Sequence, residues 1–144
     1  MYKIKSSEEY NNEQLTEHFN RNEFACKCKG KCSPISNNID MRLVEICEII
    51  RQYIDKPITI SSGLRCKAHN TASGGVADSS HRFGWAADLH CSIGSAALFV
   101  AIKDLYDKGE IPNLRYCQRY IAKDFCHIDI DCDKKRNNRF VTVK

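Results

Sequence analysis

Ser79-Ser80-His81-Arg82-Phe83-Gly84-Trp85-Ala86-Ala87-Asp88-Leu89-His90-Cys91 opens as a polar loop and closes as a strand. In its second half Asp88 and His90 alternate with Ala87, Leu89 and Cys91, so one strand face is polar and the other apolar. A later stretch, Asp124-Phe125-Cys126-His127-Ile128-Asp129-Ile130-Asp131, alternates in the same way. There His127, Asp129 and Asp131 share one face, and Ile128 and Ile130 the other. Two such strands predict a sheet with one face packed on helices and one face lining a cleft. If they are neighbours, Asp88 and His127 meet across the pair. His81 then reaches in from the loop, which Gly84 lets turn tightly.

Two imidazoles and a carboxylate are a sufficient ligand set for one zinc ion with an open position for water. Asp124, three residues before His127, is the candidate general base. Taken one at a time, these residues also match surface histidines and turn aspartates; the joint pattern points to a metal.

The remaining elements follow from periodicity. Ile39, Leu43, Ile46, Cys47, Ile50 and Ile54 recur at helical spacing and predict an amphipathic helix over 38–53. Pro57-Ile58-Thr59-Ile60-Ser61-Ser62-Gly63 reads as a strand ending in a turn, 68–73 as a short helix, and 95–108 as a second long helix capped by Gly109. Paired strands are expected over 115–121 and 125–131, with a last one at 140–143. Phe19 and Phe24 flank a short helical turn. The expected architecture is a small α+β domain over 18–144, with a mainly antiparallel sheet flanked by helices, preceded by a flexible stretch over 1–17.

At 144 residues the chain can bury a core without disulfides. A net charge of +4 suits approach to an anionic polymer such as a cell wall and is weak support for nucleic-acid binding, so no nucleic-acid partner is expected. The first residues lack the apolar stretch of a signal peptide, and no run could span a bilayer. The expectation is a monomer made in the cytoplasm, without membrane attachment, reaching its substrate after release.

Ser79-x-His81-x-x-Gly84-x-Ala86-x-Asp88 followed by His127-x-Asp129 resembles the signature of the zinc D-Ala-D-Ala carboxypeptidase family, peptidase family M15. Ile60-Ser61-Ser62-Gly63-Leu64-Arg65-Cys66-Lys67-Ala68-His69-Asn70 is similar to the family's segment upstream of the first ligand, and 19–28 to the start of its small single-domain phage and bacterial members. The resemblance runs from about residue 18 to 131. It implies the fold shared with hedgehog signalling domains and hydrolysis of peptidoglycan stem peptides. The cut would be that of a D,D-carboxypeptidase or of an L-alanyl-D-glutamate-type endopeptidase. A lysin-like enzyme of phage or prophage origin would fit. It implies His81, Asp88 and His127 as zinc ligands, Asp124 as catalytic acid/base, Arg65 as a catalytic and substrate-binding cation, and Ser79 as a substrate contact. The family's better-known enzymes carry a glutamate and a tryptophan where Asp124 and Cys126 stand. A rival implication, from the hedgehog-like relatives, is a non-catalytic domain stabilised by zinc.

Nine cysteines cannot all pair internally. Cys26, Cys28 and Cys32, with Cys66 as a fourth thiolate, form a possible structural zinc site; a disulfide and free thiols stay open as alternatives. Of the other histidines, His90 shares the face of Asp88 and suits an outer role, while His18 and His69 read as structural or exposed. Asp129 suits orienting a ligand or an arginine.

Overall fold

A computed structural model describes residues 4–5, 13–28 and 38–144. Most of the N-terminal stretch expected to be flexible, and Cys32 of the cysteine loop, lie outside the described residues.

A five-stranded mixed sheet organises the molecule, in the order β3-β4-β6-β5-β7. Its strands are β3 (Ile58–Ser62), β4 (Ala86–Cys91), β5 (Tyr116–Tyr120), β6 (Phe125–Asp129) and β7 (Phe140–Val143). Every pairing is antiparallel except that of β5 with β7, which is parallel. Two further short strands, β1 (Ile4–Lys5) and β2 (Ile39–Asp40), pair with each other. The helices are α1 (Met41–Ile54), α2 (Lys67–Ala72) and α3 (Gly94–Asp107). This is the small α+β fold expected from the alternating strands and periodic helices.

The alternation of β4 and β6 now has its physical outcome. Ala87, Leu89, Cys126 and Ile128 are fully buried in one core with Leu43, Val44, Cys47 and Ile50 of α1 and Leu98 and Ile102 of α3. Each large aliphatic side chain removed from water in this way contributes roughly 1.5–3 kcal/mol before chain entropy is subtracted. Asp40 starts α1 by accepting the Arg42 N–H at 2.9 Å, and Asp55, in the left-handed region at φ 51°, ends it.

The opposite face of the sheet is left for polar groups and for two connecting segments. One is the turn between β3 and α2. The other is a 3-10 turn over Ser80–Phe83, closed by Gly84 at φ 73°. A Cβ on Gly84 would run into the carbonyl of Asn38, so glycine is required there for close approach as well as for the turn. The register of β3 on β4 shifts between Ile60 and Ser62, which brings Ser62 opposite Asp88. Bulges of this kind re-aim side chains beside functional sites.

Candidate active site

Asp88 and His127 are direct partners in the β4–β6 register, and Gln118 of β5 stands opposite His127 on its other side. His81 comes from the 3-10 turn, whose first N–H groups are capped by Ser79. The three chelating side chains offer ligand atoms that all lie within 4.8 Å of one another. Asp88 Oδ1 is 3.3 Å from His81 Nε2 and 3.1 Å from His127 Nδ1.

The outer nitrogen of each imidazole is already committed. His81 Nδ1 lies 2.7 Å from the Gly63 carbonyl, which can only accept, so Nδ1 carries a proton and Nε2 is the nitrogen that faces Asp88. His127 Nε2 lies 2.9 Å from Asp129 Oδ2, which likewise leaves Nδ1 directed at Asp88. Asp129 is fully buried and also accepts from Arg136 Nη2 at 3.1 Å. Imidazoles oriented by an outer carbonyl and an outer carboxylate, with their inner nitrogens converging on a third ligand, fit a zinc ion that would take the place of the inner protons.

The electrostatics agree. Burial alone would raise the Asp88 carboxyl, but hydrogen bonds from His127 and His81 outweigh it and hold the group well below the usual carboxylate range. Burial pushes His127 down, yet its bonds to Asp129 and Asp88 more than reverse this and carry it to about 9. The centre of the trio therefore draws positive charge to itself.

A cleft of about 390 Å³ opens over the trio. Arg65 lines it from the β3–α2 turn, with Nη2 3.5 Å from Asp88 Oδ2 and Nε donating to Ser62 Oγ at 3.0 Å. Ser79 lines it too, although its hydroxyl accepts the His81 N–H at 3.3 Å. Tyr116, Gln118 and Tyr120 form the wall supplied by β5, and Lys123, Lys134 and Arg136 add positive charge at the rim. The β5 wall went unread in the sequence. Its signal was present, since Tyr116, Gln118 and Tyr120 alternate with Cys117 and Arg119 on a strand expected to pair with 125–131, and their place beside His127 follows from the register of that pairing.

Asp124 lies elsewhere. It sits in the turn just before β6, outside the strand, where pleat alternation does not set the direction of its side chain. There its Oδ1 accepts the Ser95 N–H at 2.8 Å, in the first turn of α3, and its backbone takes φ 55°. It borders a separate hollow with Thr59, His90 and Ser92. The expectation that Asp124 activates water thus meets a side chain already bonded at a helix start. Asp88 is the one carboxylate among the described residues that line the cleft.

The sequence pattern of the family described as Peptidase M15 matches residues 17–129. The chain belongs to the peptidase M15 family. The match covers the 3-10 turn, the β3–α2 turn and all three members of the His/Asp/His trio of this M15 peptidase. No curated protein matches it.

The histidines outside the trio have separate duties. His18 Nδ1 is 2.6 Å from Glu48 Oε2 and its N–H donates to Glu48 Oε1 at 2.7 Å, which ties the N-terminal segment to α1. His90 Nε2 is 2.8 Å from Ser61 Oγ, and its ring stacks on Phe125. No helix among the described residues is long and apolar enough to cross a membrane.

Proposed function

We propose that this M15 family member is a zinc-dependent peptidase that hydrolyses the peptide stems of peptidoglycan. The observation that carries the reading is the orientation of the two imidazoles. Each has its outer nitrogen tied down by Gly63 or Asp129 and its inner nitrogen aimed at Asp88. His81, Asp88 and His127 would hold the zinc ion. When bound, zinc supplies a Lewis acid for the scissile carbonyl and acidifies a water molecule.

The chain's own residues then act on the peptide. Arg65, a permanently charged fork at the cleft floor, steadies a substrate carboxylate or the oxyanion that develops on the carbonyl. Tyr120 keeps its phenolic proton, because burial and then the negative charge of Asp88 raise its pKa, so it is a neutral donor beside the reacting group. Ser79 borders the same space and offers a hydroxyl to the peptide backbone. The rim charges of Lys123 and Lys134 favour stems that carry free carboxylates, as cell-wall stems do. Neither nucleic acid nor membrane is needed as a partner. The reading is of a lysin-like monomer made in the cytoplasm, of phage or prophage type, that meets the wall after release.

Purified muropeptides incubated with the zinc-loaded protein test the reading. Mass spectrometry should show new fragments that disappear with a chelator and return with zinc. Loss of a terminal D-alanine marks a D,D-carboxypeptidase; a cut inside the stem marks an endopeptidase. Intact stems of several types in the presence of bound zinc would replace the enzyme reading with that of a non-catalytic, zinc-stabilised domain.

A further inference from the structure

A second group of soft ligands stands apart from the His/Asp/His cleft. Cys26 and Cys28 follow the 3-10 turn Arg21–Phe24, and Cys66 caps the start of α2 some forty residues later. The chain brings their three sulfurs within 4.8 Å of one another, and all three are thiols rather than disulfides. Cys28 and Cys66 are buried and Cys26 is half-buried. Zinc–sulfur bonds of about 2.3 Å set tetrahedral sulfurs roughly 3.8 Å apart, inside that span.

Two backbone amides point at these sulfurs. The Cys66 N–H donates to Cys26 Sγ at 3.3 Å, and the His69 N–H donates to Cys66 Sγ at 3.3 Å. Amide hydrogens aimed at sulfur stabilise negative charge there, whereas a neutral thiol is a weak acceptor. Lys27 lies between the first two cysteines, and its Nζ donates to the Glu23 carbonyl at 3.3 Å. Its ammonium offsets part of the excess negative charge that three thiolates leave on a divalent ion.

The location gives such an ion a purpose. The Leu64 N–H donates to the Phe24 carbonyl at 2.9 Å, and a Cβ on Gly63 would lie 2.7 Å from that same oxygen. This contact joins the N-terminal segment to the turn whose Gly63 carbonyl orients His81 and whose Arg65 faces Asp88. The turn aims two side chains at the cleft, so how firmly it is joined to the N-terminal segment bears on the site. A metal bridging Cys26 and Cys28 to Cys66 closes the same junction from the next residues along.

We propose that Cys26, Cys28 and Cys66 hold a structural zinc ion, distinct from the ion of the cleft, which staples the N-terminal segment to the β3–α2 turn. The site takes a thiophilic divalent cation. It does not depend on the peptidase reading, because its ligands and its readouts are separate.

The experiment uses the full chain purified with zinc under reducing conditions. Wild type should hold two zinc ions, and His81→Ala one. Cobalt exchanged into His81→Ala should give a sulfur-to-cobalt charge-transfer band, which Cys66→Ser should lack. Because Cys66→Ser can fail to fold, alkylation of the wild type provides a second measure. Zinc should shield Cys26, Cys28 and Cys66, the chelator should expose them, and the exposed Cys132 should react in both states. A His81→Ala protein that binds no zinc, a cobalt form with no sulfur band, equal alkylation with and without metal, or a disulfide among these cysteines would overturn the proposal.

Discussion

Asp88 on β4 and His127 on β6 are register partners whose facing atoms, Oδ1 and Nδ1, are 3.1 Å apart, while the far nitrogen of His127 is held by the buried Asp129. Three side chains on two strands therefore form a single line of charge from the cleft into the sheet. The outermost is a proposed zinc ligand, and the innermost sets which nitrogen of the middle one faces it.

That line makes Asp129 a positioning residue. Asp129→Asn should weaken zinc binding by roughly 10–100-fold, the usual consequence of removing an outer carboxylate from a metal-bound histidine. Competition against a chromophoric chelator measures it. An unchanged affinity would mean that His127 is oriented by something else.

Arg65 should act on substrate and not on metal. Arg65→Lys keeps the charge but loses the fork that bonds Ser62 while facing Asp88. Turnover on stem peptides should fall by about 10²–10³-fold with zinc content unchanged. Loss of zinc along with turnover would instead assign Arg65 to holding the metal site together.

Asp124→Asn separates the sequence expectation from the observed geometry. With its carboxylate bonded at the first turn of α3, the substitution should lower the melting temperature and leave most hydrolysis intact. Lost hydrolysis at an unchanged melting temperature would restore Asp124 as the proton acceptor and require the β5–β6 hairpin end to rearrange in the complex.

Gly63→Ala places a methyl group 2.7 Å from the Phe24 carbonyl oxygen, and that oxygen belongs to backbone that cannot swing aside. Overpacking of this kind costs about 1–3 kcal/mol. Because the Gly63 carbonyl also orients His81, chemical denaturation and zinc titration should both register the change. A stable variant with native zinc affinity would show that the turn yields freely.

Glu48 gives the fold an acid limit. Burial raises its carboxyl, but the bonds from the His18 side chain, the His18 N–H and Gln52 more than compensate and lower it from 4.5 to about 2. A group depressed on folding contributes stability that is present above its unfolded value and lost as pH falls through its folded one. The stability difference between wild type and Glu48→Gln should therefore be constant above pH about 5 and shrink between about 4.5 and 2. Urea unfolding across that range measures it, and a difference independent of pH would remove Glu48 from the acid response.

Local pattern was enough for much of this molecule. Period-two alternation placed Asp88 with His90, and His127 with Asp129, on polar strand faces, because pleating allows no other arrangement of neighbouring side chains. Helical spacing located α1 and α3 to within a few residues, since their apolar stripes must be buried. The pairing of 115–121 with 125–131 was legible too. The tertiary structure alone decided that β4 lies on the other side of β6 and which register puts Gln118 opposite His127, so that Tyr116, Gln118 and Tyr120 wall the cleft. It decided that the Asp124 carboxylate is spent on the start of α3. It also decided that Cys66 meets Cys26 and Cys28. Those outcomes depend on pairing order, register and loop closure across tens of residues, which are set by how whole elements share one core and not by any residue's own preference.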